Sequence, residues 1–316
     1  MRNEMKNTMG RREFLKTAGA GALAGAGLSM GAPHASAAAP AESGDPAKMA
    51  RLLVGCCAYS YREMLTHGQM TMEDFIRKGV ELRVDGVDMT VYYLKSTDPG
   101  YLENLRYLAY QNAVPFSGAA CGSSLVQADA AKRAQVVSDI KKWIDVTDRL
   151  GASHLRVFAG KLPAGTTIQE ATGWVVEGLK EACDYAAPKG IRLGLEDHSG
   201  VSQSADVCLE IMHRVNSPYA GINLDITHFI PTSTQDQYAQ IAACIPYATV
   251  SHIRDHFDDG TPIDMDRVWK MYADAGHKGY MSLEYEGDSR GGQTAAAAVP
   301  GQIAKIRELC TKYSTV

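Results

Sequence analysis

The feature that most constrains this chain is a repeated alternation. Eight short apolar runs, each followed by a stretch of helical periodicity, occupy residues 51 to 313. The runs are 52–60, 86–90, 115–122, 154–159, 192–196, 221–225, 249–254 and 279–285. They are near-continuous rather than strictly alternating, which is the pattern of strands covered on both faces. The helical stretches fall at 72–82, 101–112, 128–150, 168–187, 205–215, 235–245, 266–275 and 295–313. Gly151, Gly190 and Gly276 stand where helices must turn back into the next strand, a position that favours the left-handed conformation glycine adopts freely. Eight β-then-α units over this length predict an α/β fold, a single-domain (β/α)8 TIM barrel, whose usual size is about 250 residues. The rival is an open doubly wound sheet. It calls for a glycine-rich phosphate loop after the first strand, and Gly55-Cys56-Cys57-Ala58-Tyr59 is not one.

The first 37 residues stand apart from this pattern. Arg11-Arg12 precede a weakly apolar Gly/Ala-rich stretch that ends in Ala35-Ser36-Ala37. Paired arginines, a mild apolar centre and small residues at the cut predict a twin-arginine signal peptide over 1–37. The stretch is short and Gly-rich for a membrane anchor, which needs about 20 apolar residues. Residues 38–50 then read as a linker and 51–316 as the catalytic barrel. The expected location is periplasmic or otherwise exported, with the twin-arginine export machinery as a transient partner. That route carries folded proteins, so a metal loaded before export is compatible with it.

Beyond the signal, 27 basic and 34 acidic side chains remain. No Lys/Arg-rich run lies among them, which argues against nucleic acid as a partner. The seven cysteines, Cys56, Cys57, Cys121, Cys183, Cys208, Cys244 and Cys310, include no C-x-x-C pair. Most sit in apolar runs, where a thiol behaves as a small hydrophobe. One disulfide is compatible with an oxidising compartment, and the sequence does not choose it.

A barrel places its functional residues at the C-terminal ends of its strands. Four late runs end in metal-ligand side chains: Glu196-Asp197-His198, Asp225-Ile226-Thr227-His228, His252-Ile253-Arg254-Asp255 and Glu284-Tyr285-Glu286. A lone glutamate at a strand end is more often a salt-bridged or capping residue. Four such residues on consecutive strands are economically explained by one shared cation, because an unpaired buried charge costs several kcal/mol. Glu196, Asp225, His252 and Glu284 are the expected ligands of one divalent metal, and three carboxylates with one imidazole suit Mn²⁺, Mg²⁺, Co²⁺ or Zn²⁺. Strand alternation turns Asp197, Asp255 and Glu286 toward the helix layer or rim. His198 and His228 follow ligands closely enough to reach a substrate hydroxyl. His256 and His277 are expected at the surface or behind the ligands, and His154 at the opposite end of the barrel. Tyr59, Tyr61, Tyr92, Tyr93 and Phe158 lie near early strand ends, where they either stack on a bound ligand or pack the barrel mouth.

These four motifs, in this order and spacing, resemble the xylose isomerase-like sugar isomerase and epimerase superfamily, and the resemblance spans about residues 51–313. It implies that the Glu, Asp, His, Glu set binds one divalent metal and that Glu196 and Glu284 act as the acid/base pair on either face of the substrate carbon. It also implies substrate contacts from His228, Arg156 and Arg254, with His198 beside them. Many relatives carry Asn where Asp197 stands here, so detailed specificity does not transfer. The implied activity is enediolate proton transfer on an unphosphorylated keto sugar or related polyol. Isomerisation, epimerisation and lyase or dehydratase chemistry on 3-keto glycosides or keto-inositols share the first step. A periplasmic sugar-binding protein without catalysis is the alternative from another class, disfavoured by the intact glutamate pair. Whether the chain forms a homo-oligomer is left open.

Overall fold

Eight parallel strands pair in chain order, and the last returns beside the first to close a barrel. They are β1 (Arg51–Cys57), β2 (Gly86–Thr90), β3 (Phe116–Ser124), β4 (His154–Phe158), β5 (Arg192–Glu196), β6 (Ala220–Asp225), β7 (Ala248–Ile253) and β8 (Lys278–Leu283). The computed structural model describes residues 45, 48–287 and 291–316. The expected signal segment 1–37 and most of the expected linker lie outside them. Nine α-helices occur among the described residues: α1 (Arg62–Thr66), α2 (Met72–Leu82), α3 (Pro99–Gln111), α4 (Ala130–Leu150), α5 (Ile168–Ala186), α6 (Ala205–Val215), α7 (Gln237–Cys244), α8 (Met265–Asp274) and α9 (Ala295–Tyr313). None of these is long and apolar enough to cross a membrane.

The helices begin where the sequence supplies caps. Thr71 and Asp74 form a reciprocal capping box at α2, and Thr167 and Glu170 form another at α5. Gly151, Gly190 and Gly276 all have positive φ, as expected of their positions. Two apolar runs end as strands two or more residues earlier than the sequence suggests, at Cys57 and Leu283. After Cys57 the chain turns into a short 3-10 helix, Ala58–Tyr61. The Ser60 hydroxyl there donates to the Leu283 carbonyl and accepts the Tyr285 N–H, both at 2.9 Å. This stitch ties the turn after β1 to the end of its neighbour β8 at the mouth. All seven cysteines are buried free thiols.

The barrel interior departs from the usual filling of branched aliphatic side chains. His154 on β4 meets Thr249 on β7 across the lumen, with Nε2 3.0 Å from Oγ1. Its ring fits because its neighbours lack side chains: a Cβ at Gly194 would lie 2.4 Å from Nε2, and one at Gly118 2.6 Å from Nδ1. Higher in the lumen, His252 on β7 meets Asp88 on β2. That Thr249 and His252 both point inward reflects a β-bulge. Ile222 pairs with Ala248 and Leu224 with Ser251, so three steps on β7 oppose two on β6. The extra residue reverses the facing of everything after it.

Candidate active site

Strands β5 to β8 deliver their terminal polar residues to one point. Glu196, Asp225, His252 and Glu284 each offer a ligand atom, and these atoms lie within 4.8 Å of one another. All four are buried. His252 Nδ1 is 3.2 Å from Glu196 Oε1 and 3.4 Å from Glu284 Oε1. Its other nitrogen, Nε2, is 3.1 Å from Asp88 Oδ2. Asp225 Oδ1 accepts the Thr227 N–H at 2.9 Å and the Thr227 hydroxyl at 2.6 Å. Its Oδ2 accepts from Arg254 Nη2 at 2.8 Å.

Charge is balanced residue by residue. Burial disfavours the Glu196 carboxylate, but Arg156, 2.5 Å away, and His252 outweigh it and hold the group well below the usual range. Burial likewise opposes ionisation of Asp225, and the Arg254 charge lowers its pKa nonetheless. Burial works against a charged His228, yet Asp225 and the 2.6 Å contact with Asp258 raise it to about 9. Asp197 goes the other way, pushed well above the carboxylate range by burial and by the Asp225 charge.

The set fits a divalent cation. Three buried carboxylates whose oxygens approach this closely repel one another in a medium of low dielectric. The only side chain that meets both glutamates within an ion-pair distance is His252, among the described residues. A hard or borderline cation matches this mix of oxygen and nitrogen donors.

Above the four lies a cavity of about 180 Å³. Glu196, Glu284, His198, His228 and Arg156 all line it, as do Tyr59, Tyr92 and Phe158. The His198 and His228 rings meet at a tilt of 59° with centroids 4.4 Å apart. Arg156 lies over the Phe158 ring at 4.0 Å and donates to the Tyr92 hydroxyl at 3.3 Å. Arg254 is placed differently from the other expected substrate residues. It is not part of the cavity wall and is clamped by Asp225, Thr227 and Glu286. Glu286, expected at the rim, is a cavity wall instead. Because β8 ends at Leu283, strand alternation no longer governs it, and its carboxylate turns in to Arg254 at 2.7 Å. Asp197 does turn from the cluster and accepts the Asp225 N–H at 2.7 Å. Asp255 and His256 pair with each other at the surface. His277, expected at the surface or behind the ligands, is buried at the opposite end of the barrel, where its carbonyl accepts from Arg51 at the start of β1. Tyr61 packs on Phe75 in the core, and Tyr93 sits edge-on to Tyr92.

Asp88 is the residue that sequence reasoning passed over. It stands in the middle of the second apolar run, Gly86-Val87-Asp88-Met89-Thr90. A charge inside a strand was itself the available signal.

A family model described as xylose isomerase-like TIM barrel matches residues 77–309. The chain belongs to this family. No curated protein matches the sequence. Among solved structures of the same fold is D-psicose 3-epimerase of Clostridium cellulolyticum H10 with D-tagatose, 14% identical with a TM-score of 0.68, covering 83% of this chain and 99% of its own. A D-allulose 3-epimerase of Methylomonas sp. is 18% identical with a TM-score of 0.65, covering 84% and 98%. The IOLI protein with a binding zinc atom is 16% identical with a TM-score of 0.66, covering 84% and 100%. At these identities the likeness shows the family's barrel and nothing finer.

Proposed function

We propose that this protein is a divalent-metal-dependent isomerase or epimerase of an unphosphorylated keto sugar or related polyol, working after twin-arginine export. One observation carries the reading: Glu196 and Glu284 enter the same cavity from β5 and from beyond β8, each within 3.4 Å of one imidazole nitrogen. The epimerase activity named for two proteins of the same fold supports it. A cation held by Glu196, Asp225, His252 and Glu284 would polarise a substrate carbonyl and its neighbouring hydroxyl and so acidify the carbon-bound proton between them. One glutamate takes that proton, and the C–H electron pair moves into the enediolate. The other glutamate returns a proton to the opposite face, giving epimerisation, or to the adjacent carbon, giving isomerisation. His198 presents a ring nitrogen to substrate hydroxyls, and His228 lines the same wall with Nδ1 on Asp258 and Nε2 3.4 Å from Asp225. Tyr92 and Phe158 offer aromatic surface to the sugar's C–H face. Among the described residues the single arginine on the cavity wall, Arg156, is engaged by Glu196, which supports an unphosphorylated substrate.

The test is proton exchange by NMR in D2O, offering free keto sugars, keto-inositols and 3-keto glycosides to metal-loaded protein. The reading expects exchange that chelation abolishes and Mn²⁺ or Mg²⁺ restores. Loss of a β-substituent in the products would assign a lyase instead. Absence of exchange with metal bound would leave a sugar-binding protein. A protein that takes up no metal would overturn the site.

A further inference from the structure

We propose that Asp88 is a positioning residue that sets His252 for metal binding from across the barrel. The inference rests on the reading above, in which His252 is a ligand. It is carried by the different surroundings of the two ring nitrogens. Nδ1 faces Glu196 and Glu284, the side where the other donors converge. Nε2 faces Asp88 Oδ2 at 3.1 Å. A ring that donates Nε2–H to Asp88 has its lone pair on Nδ1, aimed at the cation position. The carboxylate thereby fixes tautomer and orientation and makes the donor nitrogen more basic.

Three further observations support a dedicated partnership. Asp88 and His252 are both fully buried, on strands β2 and β7 that do not touch each other in the sheet. Their contact therefore crosses the lumen and is no by-product of strand pairing. The bulge in β7 turns His252 inward to make it. No arginine or lysine approaches Asp88 within an ion-pair distance among the described residues, and His252 is its one such partner. Its second oxygen, Oδ1, has no hydrogen-bond partner. A buried carboxylate satisfied only by one imidazole is costly for a structure that needs no such group.

Asp88, His252 Nε2 and the Cys57 thiol also form a three-donor cluster. The Cys57 thiol lies 3.7 Å from Glu284 Oε1. If an ion sat there, Asp88 would be a ligand and not a positioning residue, and the experiment separates the two.

The experiment measures Mn²⁺ affinity of the metal-free full chain by calorimetry, with Asp88→Asn as a near-isosteric change. A second-sphere carboxylate of this kind is worth roughly 10–100-fold in metal affinity, and the loss expected for Asp88→Asn lies in that range. The thermal midpoint of the metal-free variant should stay near that of the parent. In a His252→Ala background the same substitution should cost nothing more, because Asp88 would have nothing left to position. Unchanged Mn²⁺ affinity in Asp88→Asn overturns the proposal. So does an undiminished loss in the His252→Ala background. Uptake of two Co²⁺ per chain with a thiolate charge-transfer band that vanishes in Cys57→Ser overturns it in favour of a second metal position. A parent protein that binds no metal at all fails the underlying reading, which is a different result from a parent that binds and a variant that binds as well.

Discussion

The two ends of the barrel interior hold the same kind of side chain in opposite states. At the mouth, His252 is fully buried, yet Glu284, Asp88 and Glu196 outweigh that burial and raise its pKa well above the ordinary value. At the far end, burial lowers His154 to about 4 although Asp88 pulls the other way, and it lowers His277 to about 4 as well. Those rings are neutral fillers. His154 occupies the space left by Gly118 and Gly194, and its Nδ1 has no hydrogen-bond partner. Burial is therefore common to both ends and does not by itself mark a site. What marks the mouth is the convergence of carboxylates at strand ends around one imidazole, an arrangement that the far end lacks.

The sharpest way to break this comparison is at Glu284. Its ion-pair partner among the described residues is His252, which keeps Asp88 and Glu196, so Glu284→Gln strands no buried cation. Removing one positioned acid/base group costs on the order of 10²–10⁴ in rate. Substrate-dependent deuterium exchange should fall by that factor while the unfolding midpoint hardly moves. Glu196→Gln is the less clean companion, because it leaves Arg156 buried without its 2.5 Å partner and should lower stability as well as rate. An active Glu284→Gln enzyme would remove the mouth's claim to chemistry.

The converse change is His154→Ala at the far end. It opens a cavity and leaves the Thr249 hydroxyl without its ring partner. Large-to-small changes of this kind cost roughly 2–5 kcal/mol. Chemical denaturation should register that loss, while the exchange rate per folded molecule stays at the parent value. A His154→Ala protein that is stable but inactive would mean the two ends are coupled more tightly than their separate surroundings suggest.

These two predictions also mark what the sequence could reveal. The clustering of Glu196, Asp225, His252 and Glu284 was readable because each member stands at or just past the end of an apolar run, where a charge has few structural uses. Glycines in the strands were readable as gaps but not as the space His154 fills, because that contact joins β4 to glycines on β3 and β5. Asp88 was unreadable as a partner of His252 because 164 positions and a lumen separate them. The β7 bulge compounded this, since simple alternation does not turn both Thr249 and His252 inward. Arg254 and Glu286 were hard for a related reason: both lie just past strand ends, where period-two facing no longer applies.

Acid sharpens the comparison further. The unfolded pKa of a histidine is about 6.5, and in the folded protein His154 and His277 titrate at about 4. Between these values the unfolded chain binds protons that the folded chain does not. Stability from these rings is thus complete above pH 6.5, falls as pH drops toward 4, and levels off below. At 1.36 kcal/mol per pH unit the window amounts to about 3 kcal/mol for each ring. Asp197, raised above the carboxylate range, contributes the opposite slope, so the test is the difference in denaturation stability between the parent and His154→Gln, which should change by about 3 kcal/mol between pH 7 and pH 4. An unaltered slope in His154→Gln would mean that the far-end rings do not titrate as their burial requires.

The smallest expected effect is at the cavity wall. Tyr92 donates or accepts nothing at the ligand cluster itself, and its hydroxyl is held by Arg156 Nη2 at 3.3 Å. Tyr92→Phe keeps the aromatic surface and removes that contact. A single hydrogen bond to a charged group contributes about 1.5–3 kcal/mol at most, and this long one should fall at or below the lower limit. Arg156 retains Glu196 at 2.5 Å and the Phe158 ring at 4.0 Å, so it should not move. The expected outcome is a rise of less than about tenfold in KM with kcat nearly unchanged, since the lost contact is equal in ground and transition states. A fall in kcat without a change in KM would place Tyr92 at the reacting atoms and extend the chemical part of the mouth beyond the cluster of Glu196, Asp225, His252 and Glu284.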